Sequence, residues 1–154
     1  MIRVVIADDH AIVRTGLRVL IKAESAMELI GEATGGYEAI EMVEKMMPDV
    51  LVLDLSMPDL DGIAVTKKIK PQFPELRILI LTLHEDEALL KAALKAGAAG
   101  YVLKRAAEAE LISAIHGHFN RRITRRLFDR LPKPGSSGIR SRVLDQRHGL
   151  HAWR

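Results

Sequence analysis

Short apolar runs alternate along this chain with longer segments in which apolar residues recur every three or four positions. The runs cover 2–7, 27–33, 50–53, 78–81 and 100–103. They are short, and three are rich in Val or Ile, as strands buried on both faces of a sheet are. Helical periodicity occupies 11–23, 36–47, 61–70, 85–96 and 107 to about 119. In the fourth of these, Ala88, Leu89, Ala92, Ala93 and Ala96 predict a single apolar stripe. Pro48 and Pro71 end the second and third helices, and Gly97 and Gly100 punctuate the turn into the fifth strand. Strand and helix thus alternate five times. That order predicts a doubly wound α/β fold with a parallel sheet, whose ligands sit beyond the carboxyl ends of the strands.

Polar residues collect at those ends. Asp8 and Asp9 close the first strand, Asp54 the third, Thr82 the fourth and Lys104 the fifth. Two like charges about 4 Å apart repel by roughly 4 kcal/mol at an effective dielectric of about 20, so three converging carboxylates require a compensating cation or proton. A hard divalent ion, Mg²⁺ first, fits oxygen donors. Asp54 as a simple helix cap is a poor alternative, because Met57-Pro58 intervene and Asp59 and Asp61 are better placed to cap the next helix. Asp9 has a more credible alternative as the cap of the first helix.

Composition narrows the chemistry. The absence of cysteine removes disulfides, thiolate catalysis and cysteine-ligated zinc. No apolar run approaches the roughly eighteen residues of a membrane span, and the N-terminus leads into a strand instead of a signal peptide, so a cytoplasmic protein without membrane contact is expected. The net charge of +3 conceals two regions. Residues 1–116 carry 13 Lys/Arg against 18 Asp/Glu, whereas 117–154 carry 10 against 2. A basic segment of that kind suits either contact with nucleic-acid phosphates or a solvated tail.

Together these motifs resemble the response-regulator receiver domains of bacterial two-component signalling. The resemblance rests on Ala7-Asp8-Asp9-His10, on Asp54 followed by Met57-Pro58 and Gly62, on Thr82, and on Tyr101-Val102-Leu103-Lys104. It covers residues 1–119 and implies a flavodoxin-like (βα)5 fold with a basic C-terminal extension at 120–154. It also implies that Asp54 accepts a phosphoryl group from a sensor histidine kinase. Asp9 would ligate Mg²⁺ directly, Asp8 through water or by orienting its partners, and the Ser56 carbonyl would complete the protein's share, with Asp54 as the acceptor ligand. Lys104 would pair with Asp54 before transfer and with a phosphoryl oxygen afterwards, and Thr82 would donate its hydroxyl to another. The resemblance makes Thr82 and Tyr101 the switch: Thr82 shifts, and Tyr101 turns inward to repack the face of the fourth helix, fifth strand and fifth helix. Homodimerisation through that face follows from the same likeness. Arg105 stands where relatives commonly have proline, so a cis bond there is not expected.

The histidines attract less interest. His10 and His84 border the site and are assigned at most a role in access. His116, His118, His148 and His151 have no carboxylate context that suggests a metal.

The fifth strand and helix are most similar to receivers fused to a helix-turn-helix transcription domain, which requires about sixty residues of its own periodicity. Only 35 residues follow Phe119. Pro132-Lys133-Pro134-Gly135-Ser136-Ser137-Gly138 has linker composition. A truncated or frame-shifted member, with a non-native tail from about Pro132, is therefore expected, against the rival of a natural single-domain receiver with a basic arm. DNA contact is expected only where an output domain is present. Two other classes compete: a Mg²⁺-dependent phosphohydrolase, and a receiver fold kept for protein binding without phosphorylation. The first places an Asp-x-Asp nucleophile after strand one, where this chain has Asp-Asp. The chain is not expected to act as an enzyme beyond its own phosphorylation and dephosphorylation.

Overall fold

A computed structural model describes residues 1–83 and 85–117. Five strands, β1 (Ile2–Ala7), β2 (Met27–Ala33), β3 (Val50–Asp54), β4 (Arg77–Thr82) and β5 (Gly100–Leu103), alternate with five helices. These are α1 (Ala11–Lys22), α2 (Gly36–Met46), α3 (Gly62–Ile69), α4 (Glu87–Ala96) and α5 (Ala107–Gly117). All strand pairs are parallel, in the order β2-β1-β3-β4-β5. The chain runs outward from β1 to β2, then returns to place β3 on the other side of β1. The crevice of such a sheet opens where the order reverses, above the carboxyl ends of β1 and β3.

Side-chain alternation along the strands feeds two cores. On one face Val5, Ala7, Leu51, Leu53, Ile78, Ile80 and Tyr101 pack against α2, α3 and α4 through Ala39, Val43, Val65, Ile69, Leu90 and Ala93. On the other, Val4, Ile6, Val50, Val52, Leu79, Leu81 and Val102 meet α1 and α5 through Leu17, Ile21, Leu111 and Ile115. All five residues of β3 are buried, which explains the uninterrupted apolar run in its sequence.

Several boundaries differ from the expected ones for local reasons. Helix α4 starts at Glu87, two residues late, because the Asp86 carboxylate accepts the Ala88 and Leu89 amides and caps the helix. Its buried stripe is Leu90, Ala93 and Leu94, whereas Ala88 and Leu89 are exposed, Leu89 by 42%. The spacing of three and four fits both sets, and two leucines remove more apolar area from water than alanines do. Met47 lies outside α2 as a left-handed cap at φ 48°, just before Pro48. Gly97 terminates α4 at φ 115°, a conformation open to glycine without steric cost. Among the described residues no helix is long and apolar enough to cross a membrane. The expected basic extension at 120–154 lies outside the described residues.

Candidate functional site at the switch point of the sheet

Each site residue owes its place to a strand end. Asp8 leaves β1 with its amide bonded to the Ala33 carbonyl at 3.1 Å, and its side chain is fully buried. Asp54 is the last residue of β3 and is 2% exposed. Lys104 follows β5 and opens a short 3₁₀ turn, Lys104–Ala106, with its side chain 7% exposed. Its ammonium stands 2.9 Å from Asp8 Oδ2 and 3.2 Å from Asp54 Oδ1. The sequence paired Lys104 with Asp54 alone; the structure places it between two carboxylates.

The loop from β3 to α3 is held by four devices. The Ser56 amide donates to Asp54 Oδ1 at 3.2 Å, and the Gly62 amide returns to the Leu55 carbonyl at 2.9 Å. Asp61 caps α3 by accepting the Ala64 amide. Asp59, the other candidate cap for α3, reaches across instead to accept the Gly36 and Tyr37 amides at 2.9 and 3.2 Å. It therefore ties the loop to the first turn of α2. Those bonds, the Gly36 amide foremost, hold its carboxyl below the usual carboxylate range. No local signal in the sequence distinguishes a residue that caps its own helix from one that caps a neighbour.

Asp9 is partly exposed beside this group and does not cap α1, whose N-cap is His10 with no side-chain bond. His10 does more than border the site, contrary to its expected minor place. Its Nδ1 lies 3.0 Å from Asp8 Oδ1, 3.2 Å from Asp9 Oδ1 and 4.0 Å from Asp54 Oδ2. The Asp8 side chain brings the ring there, because its Oδ1 also accepts the His10 amide at 2.8 Å. The adjacency in Asp8-Asp9-His10 was the available signal. His84 lies outside the described residues.

Thr82 ends β4, paired with Leu103, and is buried at the same rim. Tyr101 is 5% exposed and packed into the core beneath α4. A separate groove of about 390 Å³, between Val43, Phe73, Leu76 and Arg77, opens at the opposite ends of β3 and β4 and shares no residue with the carboxylates.

Electrostatics at the rim are strained by design of the strands. Burial, and then the charge of Asp8, push the Asp54 carboxyl up to about 6, while Lys104 and the Ser56 amide act against them. Asp54 Oδ2 is buried and has no hydrogen-bond partner. Asp8, Asp9, His10 and Asp54 each offer one donor atom, all within 4.8 Å of one another. An unpaired buried carboxylate oxygen inside a cluster of carboxylate and imidazole donors fits a divalent cation.

Residues 4–116 match the response regulator receiver domain family. The chain belongs to that family. The receiver is 46% identical over 114 residues to the oxygen regulatory protein NreC of Staphylococcus carnosus (strain TM300), an alignment covering 73% of this chain and 52% of that protein. It spans about half the length of the curated relatives it matches. Its fold superposes with a TM-score of 0.73 on the non-phosphorylated receiver domain of the stress response regulator RcsB from Escherichia coli. That pair shares 36% identity over 79% of this chain and 95% of the other. RcsB from Salmonella enterica serovar Typhimurium, bound to promoter rprA in the presence of phosphomimetic BeF3⁻, gives 0.69 at 38% identity, covering 75% of the receiver and 67% of that chain.

Proposed function

We propose that this receiver takes a phosphoryl group onto Asp54 from the phosphohistidine of a sensor histidine kinase. The observation that carries the reading is Asp54 itself: a buried carboxylate at the end of the third strand, with one unpartnered oxygen and a lysine ammonium 3.2 Å from the other. An Asp54 oxygen attacks phosphorus, the phosphorus–nitrogen bond breaks, and the imidazole leaves. Lys104 holds Asp54 in place beforehand and takes a phosphoryl oxygen afterwards. Thr82, at the same rim, donates its hydroxyl to another.

Asp9 and Asp54, with the Ser56 carbonyl and with Asp8 through water, would hold Mg²⁺. Bound there, the ion supplies charge neutralisation for the transferring group. Burial first, and then the charge of Asp8, raise the Asp54 pKa, and a cation at this place would relieve both.

The reading extends to a switch in which Thr82 and the buried Tyr101 relay the change to α4, β5 and α5. Leu83 and Leu89 are exposed beside that face, which suits self-association there. The protein works in the cytoplasm and takes up one group per cycle without turning over a substrate. Control of transcription belongs to the receiver joined to an output domain, a reading that the likeness to promoter-bound RcsB supports. The phosphohydrolase reading receives no support from the family match.

Incubation with acetyl phosphate and Mg²⁺ followed by intact-mass measurement tests the proposal. A gain of one phosphoryl group that Asp54→Asn abolishes is expected. Rapid release of phosphate from many esters, or no gain at all, would overturn it.

A further inference from the structure

We propose that His10 is a nitrogen ligand of the carboxylate pocket, giving it a mixed donor set that selects late first-row divalent cations such as Ni²⁺ over Mg²⁺. The inference deepens the reading of this site as a cation pocket and rests on it. An all-oxygen site holds Mg²⁺ well; an imidazole in the donor set shifts the preference toward Co²⁺, Ni²⁺ and Zn²⁺.

Three observations converge. First, the His10 ring is aimed inward: Nδ1 is 3.0 and 3.2 Å from oxygens of Asp8 and Asp9. Ligands at right angles on an octahedral ion with bonds of about 2.1 Å stand about 3 Å apart, so the nitrogen already stands at ligand spacing from the oxygen of Asp9, the direct carboxylate ligand. The same spacing suits hydrogen bonds, and the experiment below separates the two. Second, Asp54 Oδ2 is buried without a hydrogen-bond partner and lies 4.0 Å from that nitrogen, an interval an ion bridging both would span. Third, Lys104 approaches from the Asp8 Oδ2 and Asp54 Oδ1 side, so its ammonium engages different oxygens of those two carboxylates from the ones nearest His10. The His10 side chain is 56% exposed, which leaves an entry for an ion and for the waters that complete its shell.

Adjacent residues make the arrangement possible. The His10 amide is fixed on Asp8 Oδ1, and the Arg14 guanidinium donates to the Asp8 carbonyl at 2.7 Å, so the backbone that carries the ring is anchored at two points.

The test uses the full chain loaded with Mn²⁺. Electron spin-echo modulation of the bound Mn²⁺ reports a directly coordinated nitrogen. Competition of Ni²⁺ and of Mg²⁺ against the same Mn²⁺ signal gives the pocket's affinity for each, apart from histidines elsewhere in the chain. Nitrogen coupling is expected in the wild type and not in His10→Ala, and the Ni²⁺ to Mg²⁺ affinity ratio is expected to fall at least tenfold. A ratio unchanged within twofold, or nitrogen coupling that persists in His10→Ala, overturns the proposal. Phosphoryl uptake with Mg²⁺, measured on the same preparations, keeps the two readings apart: uptake with an unchanged ratio removes only the nitrogen ligand, and a His10-dependent ratio without uptake removes only the phosphoryl acceptor.

Discussion

The Lys104 ammonium stands closer to Asp8, at 2.9 Å, than to Asp54, at 3.2 Å. One cation therefore serves two buried carboxylates, and the pocket retains negative charge even with its lysine in place. Under the proposed function, metal affinity, phosphoryl acceptance and local stability would all depend on that balance.

Replacing Lys104 by Met leaves two buried carboxylates facing one another without their shared cation. Breaking a buried charge cluster on one side costs about 3 kcal/mol. Urea titration of Lys104→Met without divalent ions is expected to show a loss of that order, and Mg²⁺ is expected to restore more stability to the variant than it adds to the wild type. Equal unfolding midpoints with and without the lysine would show that the cation does not hold the carboxylates together.

The raised Asp54 carboxyl sets a pH dependence. Its folded pKa of about 6 lies above the ordinary 3.8, so between those values the folded state holds a proton that the unfolded state has released. The stabilisation it contributes is full at low pH and disappears as pH rises through about 6. Asp54→Asn, which carries no charge, is expected to be more stable than the wild type at pH 7.5 by on the order of 2 kcal/mol in the absence of metal. The difference should shrink toward pH 4. Denaturant melts across that range check it, and a variant less stable than the wild type at pH 7.5 would contradict the burial argument.

Gly62 marks a close approach of two backbones. A Cβ at this position would stand 2.6 Å from the Asp54 carbonyl oxygen, and the nearest atoms are all Asp54 and Leu55 backbone, with no flexible side chain to yield. Gly62→Ala is expected to cost about 2 kcal/mol, within the range of overpacking, and to slow phosphoryl uptake by displacing Asp54. Chemical denaturation and intact-mass time courses report the two effects, and a variant with wild-type values in both would show that the loop relaxes freely.

Asp59 caps a helix that is not its own. Asp59→Ala frees the Gly36 and Tyr37 amides, at an expected cost of about 1 kcal/mol. Its carboxyl is held below the usual range, so the stability it contributes is present at neutral pH and lost as pH falls through that depressed value. The gap between variant and wild type, followed by thermal melts, should close in acid. A gap that widens in acid would point to another partner for the carboxylate.

Much of this could be read before any coordinates. Five apolar runs and their intervening periodicity specify strands and helices because burial on both faces leaves no room for polar interruption, as in Val50–Asp54. Strand ends follow from the same runs, and so do the positions of Asp8, Asp54, Thr82 and Lys104 at one rim. The stripe on α4 was less legible, since two sets of residues satisfy the helical period and only packing against the sheet chose Leu90 and Leu94.

What the order of residues determined by itself was the alternation of elements and the chemistry carried at their ends, because both depend on near neighbours in the chain. Tertiary structure alone decided which oxygen meets which nitrogen. Lys104 is shared with Asp8, Asp59 reaches α2 and the His10 ring turns into the pocket. Each of these is fixed by distances between separate elements or by the rotamer that surrounding contacts select, and neither quantity is encoded in local pattern.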